Sequence, residues 1–146
     1  MTYLDYNATT PVDERVLKEM LPFFSEHFGN ASSNTHEFGW YAKGAIDKAR
    51  QQVADFIGAE ATEIIFNSGS TEGINTALKG VYEAYKSKGN HIITTQTEHK
   101  AVLDTCEYLK DLGAEITYLS VDREGRIDLD ELKQSFTDKT ILVAIM

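Results

Sequence analysis

Short apolar runs alternate with amphipathic segments along the second half of the chain, and this alternation constrains the fold more than any other feature. Strands are predicted at Ile64–Asn67, His91–Thr95, Glu115–Val121 and 141–146, with helical spacing between them. Strands that alternate with helices of this length are typical of a parallel sheet covered on both faces. The pattern therefore predicts an α/β fold with a mostly parallel sheet sandwiched by helices.

The residues before this region predict helices and a loop but no strong strand. A first helix is expected after an Asp13 cap, followed by a long polar loop at Gly29–Gly39 and a second helix from Trp40 to Ile57, stopped by Gly58. The apolar stripe of that second helix comprises Ile46, Ala49, Val53 and Phe56. We expect an N-terminal arm with helices over residues 1–60, belonging to a small domain or dimer contact, and the large sheet domain over 61–146.

Composition excludes several classes of function. The 146 residues carry a net charge of −9 without a basic cluster, which argues against nucleic-acid binding and against docking on an anionic membrane. No apolar run is long enough for a membrane span, and the N-terminus does not resemble a signal peptide, so a cytoplasmic protein is expected. The one cysteine, Cys106, and the spacing of the histidines predict neither a disulfide nor a metal site.

The segment Ile64–Gly73 predicts a binding site for a phosphate group. Its apolar residues break at Gly69, and the helix that follows opens on Ser70 and Thr71. Glycine lets the backbone approach an anion, the hydroxyls can donate, and the first N–H groups of a helix point at such a ligand. The alternative is that Ser70 or Thr71 only caps the helix. Motifs for a nucleoside triphosphate or a dinucleotide are absent, so the site suits a single phosphate.

His99 follows the next predicted strand in the same way as the phosphate segment follows the first. If the two strands are parallel, both loops open at the same edge of the sheet, where ligands of α/β proteins bind. An imidazole there can stack on a planar ligand and exchange protons, or it can merely complete hydrogen bonds at the helix start. Cys106 lies on the apolar stripe of its helix, which favours a buried and inert thiol over a nucleophile.

Four segments together resemble the pyridoxal-phosphate-dependent cysteine desulfurases of the class V aminotransferase superfamily. They are the stretches Tyr3–Asp13, Gly29–Gly39, Phe66–Glu72 and Thr97–Val102, in the family's order and spacing. The resemblance implies a fold type I transferase that forms homodimers, converts L-cysteine to L-alanine and an enzyme persulfide, and delivers sulfur to iron–sulfur scaffold or sulfur-acceptor proteins. The similarity runs through the whole chain.

The resemblance also implies roles for individual residues. Ser70 and Thr71 would hold the phosphate of pyridoxal phosphate, and His99 would stack on its ring and take part in proton transfer. Ala8 and Thr9 would lie near the substrate. The lysine that anchors the cofactor and the sulfur-accepting cysteine of the family match no residue here, since neither Lys100 nor Cys106 falls in the family's motifs.

We therefore expect the N-terminal fragment of a cysteine desulfurase, inactive alone. The apolar run at 141–146, which would be an aggregation liability if left uncovered, favours the same interpretation. Two alternatives stay open at this point. One is a non-enzymatic remnant or interaction module on the same scaffold, and the other is a fragment of another class V enzyme such as a selenocysteine lyase.

Overall fold

The computed structural model describes residues 2–146, which fall into two compact units. The first unit ends at Ile65 and the second covers Phe66–Met146. The roles assigned above to residues 1–60 and 61–146, a small domain or dimer contact and a cofactor-binding domain, stay predictions. No helix in residues 2–146 combines the length and apolar character needed to cross a membrane.

The first unit is helical. It contains α1 (Glu14–Met20), α2 (Pro22–Ser25), α3 (Glu37–Ile57) and a 3-10 turn at Ala61–Glu63. The Asp13 carboxylate accepts the Arg15 N–H at 2.8 Å, which confirms the predicted cap of α1.

Helix α3 begins earlier than predicted and ends where predicted. It starts at Glu37 instead of Trp40 because the His36 imidazole accepts the Gly39 N–H at 3.3 Å and so caps the helix. Gly58 ends it in the left-handed conformation, with φ of 72°. The predicted apolar stripe is present but faces outward, and Phe56 is 90% exposed. Only Gly39, Ala42 and Ala54 of α3 are buried.

The second unit is the α/β part of the chain. Its elements are α4 (Ser70–Tyr85), β1 (His91–Thr95), α5 (Lys100–Asp111), β2 (Glu115–Leu119), α6 (Leu129–Ser135) and β3 (Thr140–Val143). Strand β1 lies in the middle of the sheet, parallel to β2 on one side and to β3 on the other. The predicted α/β fold with a parallel sheet and helices is confirmed.

Side chains of α4 and α5 form the core against one face of this sheet. The buried members of the core are Leu78 and Tyr82 of α4, Val102, Cys106 and Leu109 of α5, Ile92 of β1, and Ala114. Alternation along the strands turns Ile93 and Leu119 to the opposite face, where both are also fully buried. Helix α6 packs against β2.

The predicted strand at Ile64–Asn67 is wrong. The backbone there is without regular structure, and Ile65 is 78% exposed. A strand requires a hydrogen-bonded neighbour, and in the described chain Ile64–Asn67 pairs with none of the three strands, which bond only to one another. The apolar sequence alone therefore does not produce a strand here.

One smaller prediction also needs correction. Strand β2 ends at Leu119 instead of Val121, because Val121 forms an antiparallel bridge with Ile127.

Asp128 caps α6 by accepting the N–H groups of Asp130 and Glu131, but the Glu131 carboxylate does not return to the cap residue. It instead accepts hydrogen bonds from the N–H and hydroxyl of Ser120, at 3.3 and 2.7 Å, and so joins α6 to the end of β2.

A buried imidazole at the start of β1 hydrogen-bonds to side chains of both neighbouring strands. His91 of β1 is 4% exposed, and its two ring nitrogens lie 2.8 Å from the hydroxyls of Thr140 in β3 and Thr117 in β2. Both polar atoms of the ring are therefore satisfied within the sheet. This arrangement accounts for a histidine at the start of an otherwise apolar strand.

Candidate phosphate and ring site

The amino terminus of α4 presents a set of hydrogen-bond donors without acceptors. The first bond within the helix is from the Gly73 N–H to the Gly69 carbonyl, so the N–H groups of Ser70, Thr71 and Glu72 precede the helical pattern. None of these three, and neither hydroxyl of Ser70 or Thr71, bonds to another residue in the described chain. By contrast, side chains of His36 and His99 cap α3 and α5.

The three residues before α4 are held in a defined loop. The Asn67 side-chain oxygen accepts the Gly69 N–H at 2.9 Å, and the Glu72 carboxylate accepts the N–H and hydroxyl of Ser68 at 2.7 and 2.6 Å. Gly69 itself has φ of 156° and ψ of 178°, a backbone conformation that residues other than glycine rarely adopt. The loop is thus fixed on one side while the helix N–H groups stay available.

His99 occupies the N-cap position of α5. Its Nδ1 accepts the backbone N–H of Ala101 at 3.1 Å, which is the local role considered above as the alternative to ligand binding. The side chain is exposed, and Nε2 makes no hydrogen bond within residues 2–146. Because Nδ1 acts as an acceptor, the neutral ring carries its proton on Nε2. One nitrogen is therefore committed to the helix and the other remains available to a ligand.

The packing of α4 on α5 brings the two helix starts to the same end of the sheet. Lys79 lies 4.5 Å from the ring centroid of Tyr108, and the Tyr82 hydroxyl donates to the Leu112 carbonyl at 2.9 Å. From the first contact to the second, the residue numbers increase along both helices, so α4 and α5 run in the same direction. Ser70 lies as many residues before Lys79 as His99 lies before Tyr108. The donors of α4 and the imidazole therefore lie level with each other.

The predicted reason for this shared end was different. We expected two neighbouring parallel strands to place both loops at one edge, but Ile64–Asn67 is not a strand. The relationship instead rests on the pairing of α4 with α5, and α5 follows β1 directly. The common edge is the carboxyl end of β1, where α/β proteins bind ligands.

The same edge contains two further polar features. The Thr94 hydroxyl is fully buried and has no hydrogen-bond partner in the described chain, although it lies on the face of β1 that α4 and α5 cover. An unpaired buried hydroxyl costs about 1–3 kcal/mol. On the other face, a cavity of about 440 Å³ is lined in part by Thr95 and Thr97, but not by Ser70, Thr71 or His99. Ser70, Thr71 and Glu72 are exposed, so the donors of α4 form an open surface.

Cys106 and Lys100, the two other reactive side chains considered in the sequence, are engaged elsewhere. Cys106 is fully buried, as predicted, and burial raises its pKa to about 11, so the group is a thiol at neutral pH. Lys100 extends into solvent and pairs with Asp104 at 3.0 Å. In the described chain no group of three or more His, Cys, Asp or Glu residues is arranged to hold a metal ion.

Ala8 and Thr9 belong to the first unit, in the turn that precedes α1. The Ala8 N–H donates to the Asp5 carbonyl at 3.1 Å, and the Tyr3 hydroxyl donates to the Thr9 carbonyl at 3.4 Å. Both residues are exposed. Their predicted position near a substrate stays a prediction.

Sequence reasoning missed the residues that shape the loop before α4. Asn67 and Glu72 were part of a matching segment, but neither was singled out as a candidate. An Asn two residues before a glycine at a helix start is the pattern of an Asx turn, and it could have indicated Asn67. The contact of Glu72 with Ser68 reaches back across the helix start, which simple capping rules do not predict.

Proteins of known family resemble this chain along almost its whole length. The model of the aminotransferase class V family matches residues 2–146. Cysteine desulfurase IscS of Ehrlichia chaffeensis is 55% identical over 144 residues, and that of Histophilus somni is 56% identical over 146 residues. The match covers 99% of this chain but only 35% and 36% of those relatives, in their N-terminal part.

Solved structures with similar sequences also superpose on this chain. A NifS-like protein superposes with a TM-score of 0.93 at 45% identity, covering 97% of this chain and 39% of its own. SspA in complex with cysteine gives 0.92 at 37% identity, covering 99% and 42%. DndA of Streptomyces lividans gives 0.83 at 41% identity, covering 99% and 40%. The chain therefore belongs to the aminotransferase class V family, and within it resembles the N-terminal part of the cysteine desulfurases.

Proposed function

We propose that this chain forms the phosphate-binding part of a pyridoxal-phosphate-dependent cysteine desulfurase. The observation that carries the proposal is the set of three unbonded N–H groups and two free hydroxyls at the start of α4. The parallel course of α4 and α5 puts the imidazole of His99 at the same end of the helix pair. Family membership makes the cofactor the expected ligand, since class V aminotransferases depend on pyridoxal phosphate.

The donor set fits the phosphate of this cofactor. Unbonded helix N–H groups, reinforced by the positive end of the helix dipole, favour an anion. Ser70 and Thr71 add hydroxyl donors, and Gly69 leaves room for a close approach because an added Cβ would meet nothing within 4 Å. We assign the phosphate to these residues.

His99 is proposed to stack on the pyridine ring of the same ligand. Its Nδ1 bond to Ala101 fixes the ring at the helix start, so the imidazole can form one wall of the site without rearrangement. Nε2 is the atom at which the ring can hold or release a proton. The residue thus combines a structural role, as cap, with a role toward the ligand.

The parent reaction would take sulfur from L-cysteine. The carbon–sulfur bond of the substrate breaks, the sulfur joins an enzyme thiol as a persulfide, and the carbon takes a proton to give L-alanine. Pyridoxal phosphate supplies the electron sink for this chemistry. The structure of SspA in complex with cysteine supports cysteine as the substrate class, and Ala8 and Thr9 are proposed to lie near it.

We also propose that the chain is catalytically incompetent alone. Lys100 lies outside the family's lysine motif and pairs with Asp104 in solvent, and Cys106 is a buried thiol with a raised pKa, so we assign to neither the anchoring of the cofactor or the acceptance of sulfur. Mixing the chain with pyridoxal phosphate and reducing it with borohydride should leave no stoichiometric adduct at one lysine. Such an adduct would refute the proposed incompetence.

The partners follow from the parent enzyme. We propose that the full enzyme is a cytoplasmic homodimer that passes sulfur to an iron–sulfur scaffold or another acceptor protein. A selenocysteine lyase on the same scaffold would share the phosphate residues and His99, so substrate selection must be tested on the whole enzyme with cysteine and selenocysteine in parallel.

Calorimetric titration with pyridoxal phosphate and with pyridoxal tests the phosphate site directly. The wild-type chain should bind the phosphorylated compound more tightly by at least about tenfold, the difference expected for hydrogen bonds to a charged group. The Ser70→Ala, Thr71→Val double variant should lose most of that difference. Equal binding of both compounds by the wild-type chain would refute the phosphate site and favour a non-enzymatic interaction module.

A further inference from the structure

The carboxylate of Glu72 turns back from the first turn of α4 toward the loop that precedes it. Its Oε2 accepts the Ser68 hydroxyl at 2.6 Å and the Ser68 N–H at 2.7 Å. These bonds, the hydroxyl's first, hold the pKa of Glu72 below its ordinary value. The side chain is therefore ionised at neutral pH and engaged with a single residue.

This contact divides the donors of the helix start into two groups. The N–H groups of Ser68 and Gly69 are used within the protein, by Glu72 and Asn67. Those of Ser70, Thr71 and Glu72 are left for a ligand. Glu72 is also the one acidic residue in the first turn of α4, and a free carboxylate at that position would compete with an anion for these donors.

We propose that Glu72 is a positioning residue of the phosphate site. By binding Ser68 it fixes the loop through Gly69 in the conformation that exposes the three N–H groups, and it keeps its own negative charge away from them. The proposal rests on the phosphate site proposed above. It assigns to Glu72 an effect on phosphate affinity that acts through Ser68, without contact with the ligand.

A purely structural role would have a different signature. An acidic residue in the first helical turn stabilises a helix through the dipole, whatever the ligand. Its removal would lower the melting temperature and leave the preference for a phosphorylated ligand unchanged. The positioning role instead predicts that the preference for a phosphorylated ligand falls more than the melting temperature does, because the loop must be ordered before the donors can act together.

The test compares Glu72→Ala, Glu72→Gln and Glu83→Ala in the 146-residue chain. Glutamine can still accept from Ser68 through its oxygen but carries no charge. Glu83 lies on the same helix, exposed and paired with Lys86, so its loss is a matched change of charge. For each variant the affinities for pyridoxal phosphate and for pyridoxal are measured by calorimetry, and the melting temperature is measured alongside.

We expect Glu72→Ala to reduce the affinity for pyridoxal phosphate at least about tenfold while the affinity for pyridoxal changes little. Glu72→Gln should recover most of the loss, and Glu83→Ala should bind as the wild type does. Equal phosphate preference in Glu72→Ala and wild type would overturn the positioning role but leave the phosphate site standing. A wild-type chain without phosphate preference would overturn both.

Should Glu72→Ala unfold, Ser68→Ala provides a second variant. It removes the hydroxyl bond and keeps the backbone bond to Glu72, so the phosphate preference should fall by a smaller factor than in Glu72→Ala. Two results together would contradict the proposal. Ser68→Ala would keep the wild-type preference for pyridoxal phosphate over pyridoxal, and Glu72→Gln would bind pyridoxal phosphate no better than unfolded protein does.

Discussion

The Nδ1 atom of His99 accepts the backbone N–H of Ala101 at 3.1 Å, so the imidazole proposed to stack on a ligand is also the cap of α5. The two roles make different demands. A cap needs only a short acceptor, whereas stacking needs the ring. Substitutions at this position can therefore separate stability from ligand binding.

We expect His99→Ala to lower the free energy of unfolding by about 0.5–2 kcal/mol, the usual range for a lost N-cap. His99→Asn should restore most of that loss, since asparagine is a strong cap. Both variants should bind pyridoxal phosphate more weakly than the wild type, because both lack the ring. Chemical denaturation and calorimetric titration measure the two quantities, and wild-type affinity in His99→Asn would rule out stacking.

Two glycines of α4, one at its start and one in its interior, should respond in opposite directions to alanine. Gly69→Ala should cost about 1–3 kcal/mol of stability and weaken phosphate binding, because φ of 156° is strained for a residue with a side chain. Gly80→Ala, in the exposed interior of α4 with open space around the added Cβ, should add about 0.5–1 kcal/mol. Denaturation of the two variants side by side checks the signs, and stabilisation by Gly69→Ala would disprove the strained geometry.

The imidazole of His91 should make Thr117 important for stability. Thr117→Val keeps the shape of the side chain but leaves Nε2 of a buried ring without a partner, which should cost about 1–3 kcal/mol. Thr76→Val on the exposed side of α4 is the matched control and should change stability little. If both variants unfold at the same denaturant concentration as the wild type, the hydrogen bond contributes nothing.

Cys106 should resist alkylation and should make the fold sensitive to alkaline pH. Burial raises its pKa to about 11, so the folded protein keeps the thiol protonated while an unfolded chain loses the proton above about pH 8.5. The unfolded state then binds fewer protons, and stability attributable to this group should fall as pH rises from about 8.5 to 11. In Cys106→Ala the decline of the melting temperature between these pH values should be shallower.

Labelling with iodoacetamide gives an independent check at neutral pH. Native protein should react only after denaturant is added, because Cys106 is fully buried. Rapid stoichiometric labelling without denaturant would contradict the buried inert thiol and would reopen its assignment as a nucleophile.

Local signals were enough to predict most elements of the second unit. His91–Thr95 was predicted with its observed bounds, and the strand predicted at 141–146 is observed as Thr140–Val143. The segment Ile64–Asn67 shows where such reasoning fails, since its apolar pattern fits a strand but no neighbour pairs with it in the described chain. Strand pairing is a tertiary property that one segment cannot encode.

The candidate site was likewise predictable from the sequence only in part. Ser70, Thr71 and His99 could be named from residue type and position in the chain. The engagement of Glu72 by Ser68 could not be predicted, because it depends on how the loop folds back on α4. The register between α4 and α5, which sets the donors level with the imidazole, depends on side chains such as Tyr82 far from the site.

The central claim is that the start of α4 binds the phosphate of pyridoxal phosphate beside His99. Amide chemical shifts of the 146-residue chain, recorded by nuclear magnetic resonance during titration with pyridoxal phosphate and with pyridoxal, test it most directly. We predict that pyridoxal phosphate shifts the amides of Ser70, Thr71 and Glu72 together with the ring signals of His99, and that pyridoxal leaves the α4 amides unchanged. Shifts confined to other residues, or identical shifts with both compounds, would contradict the account.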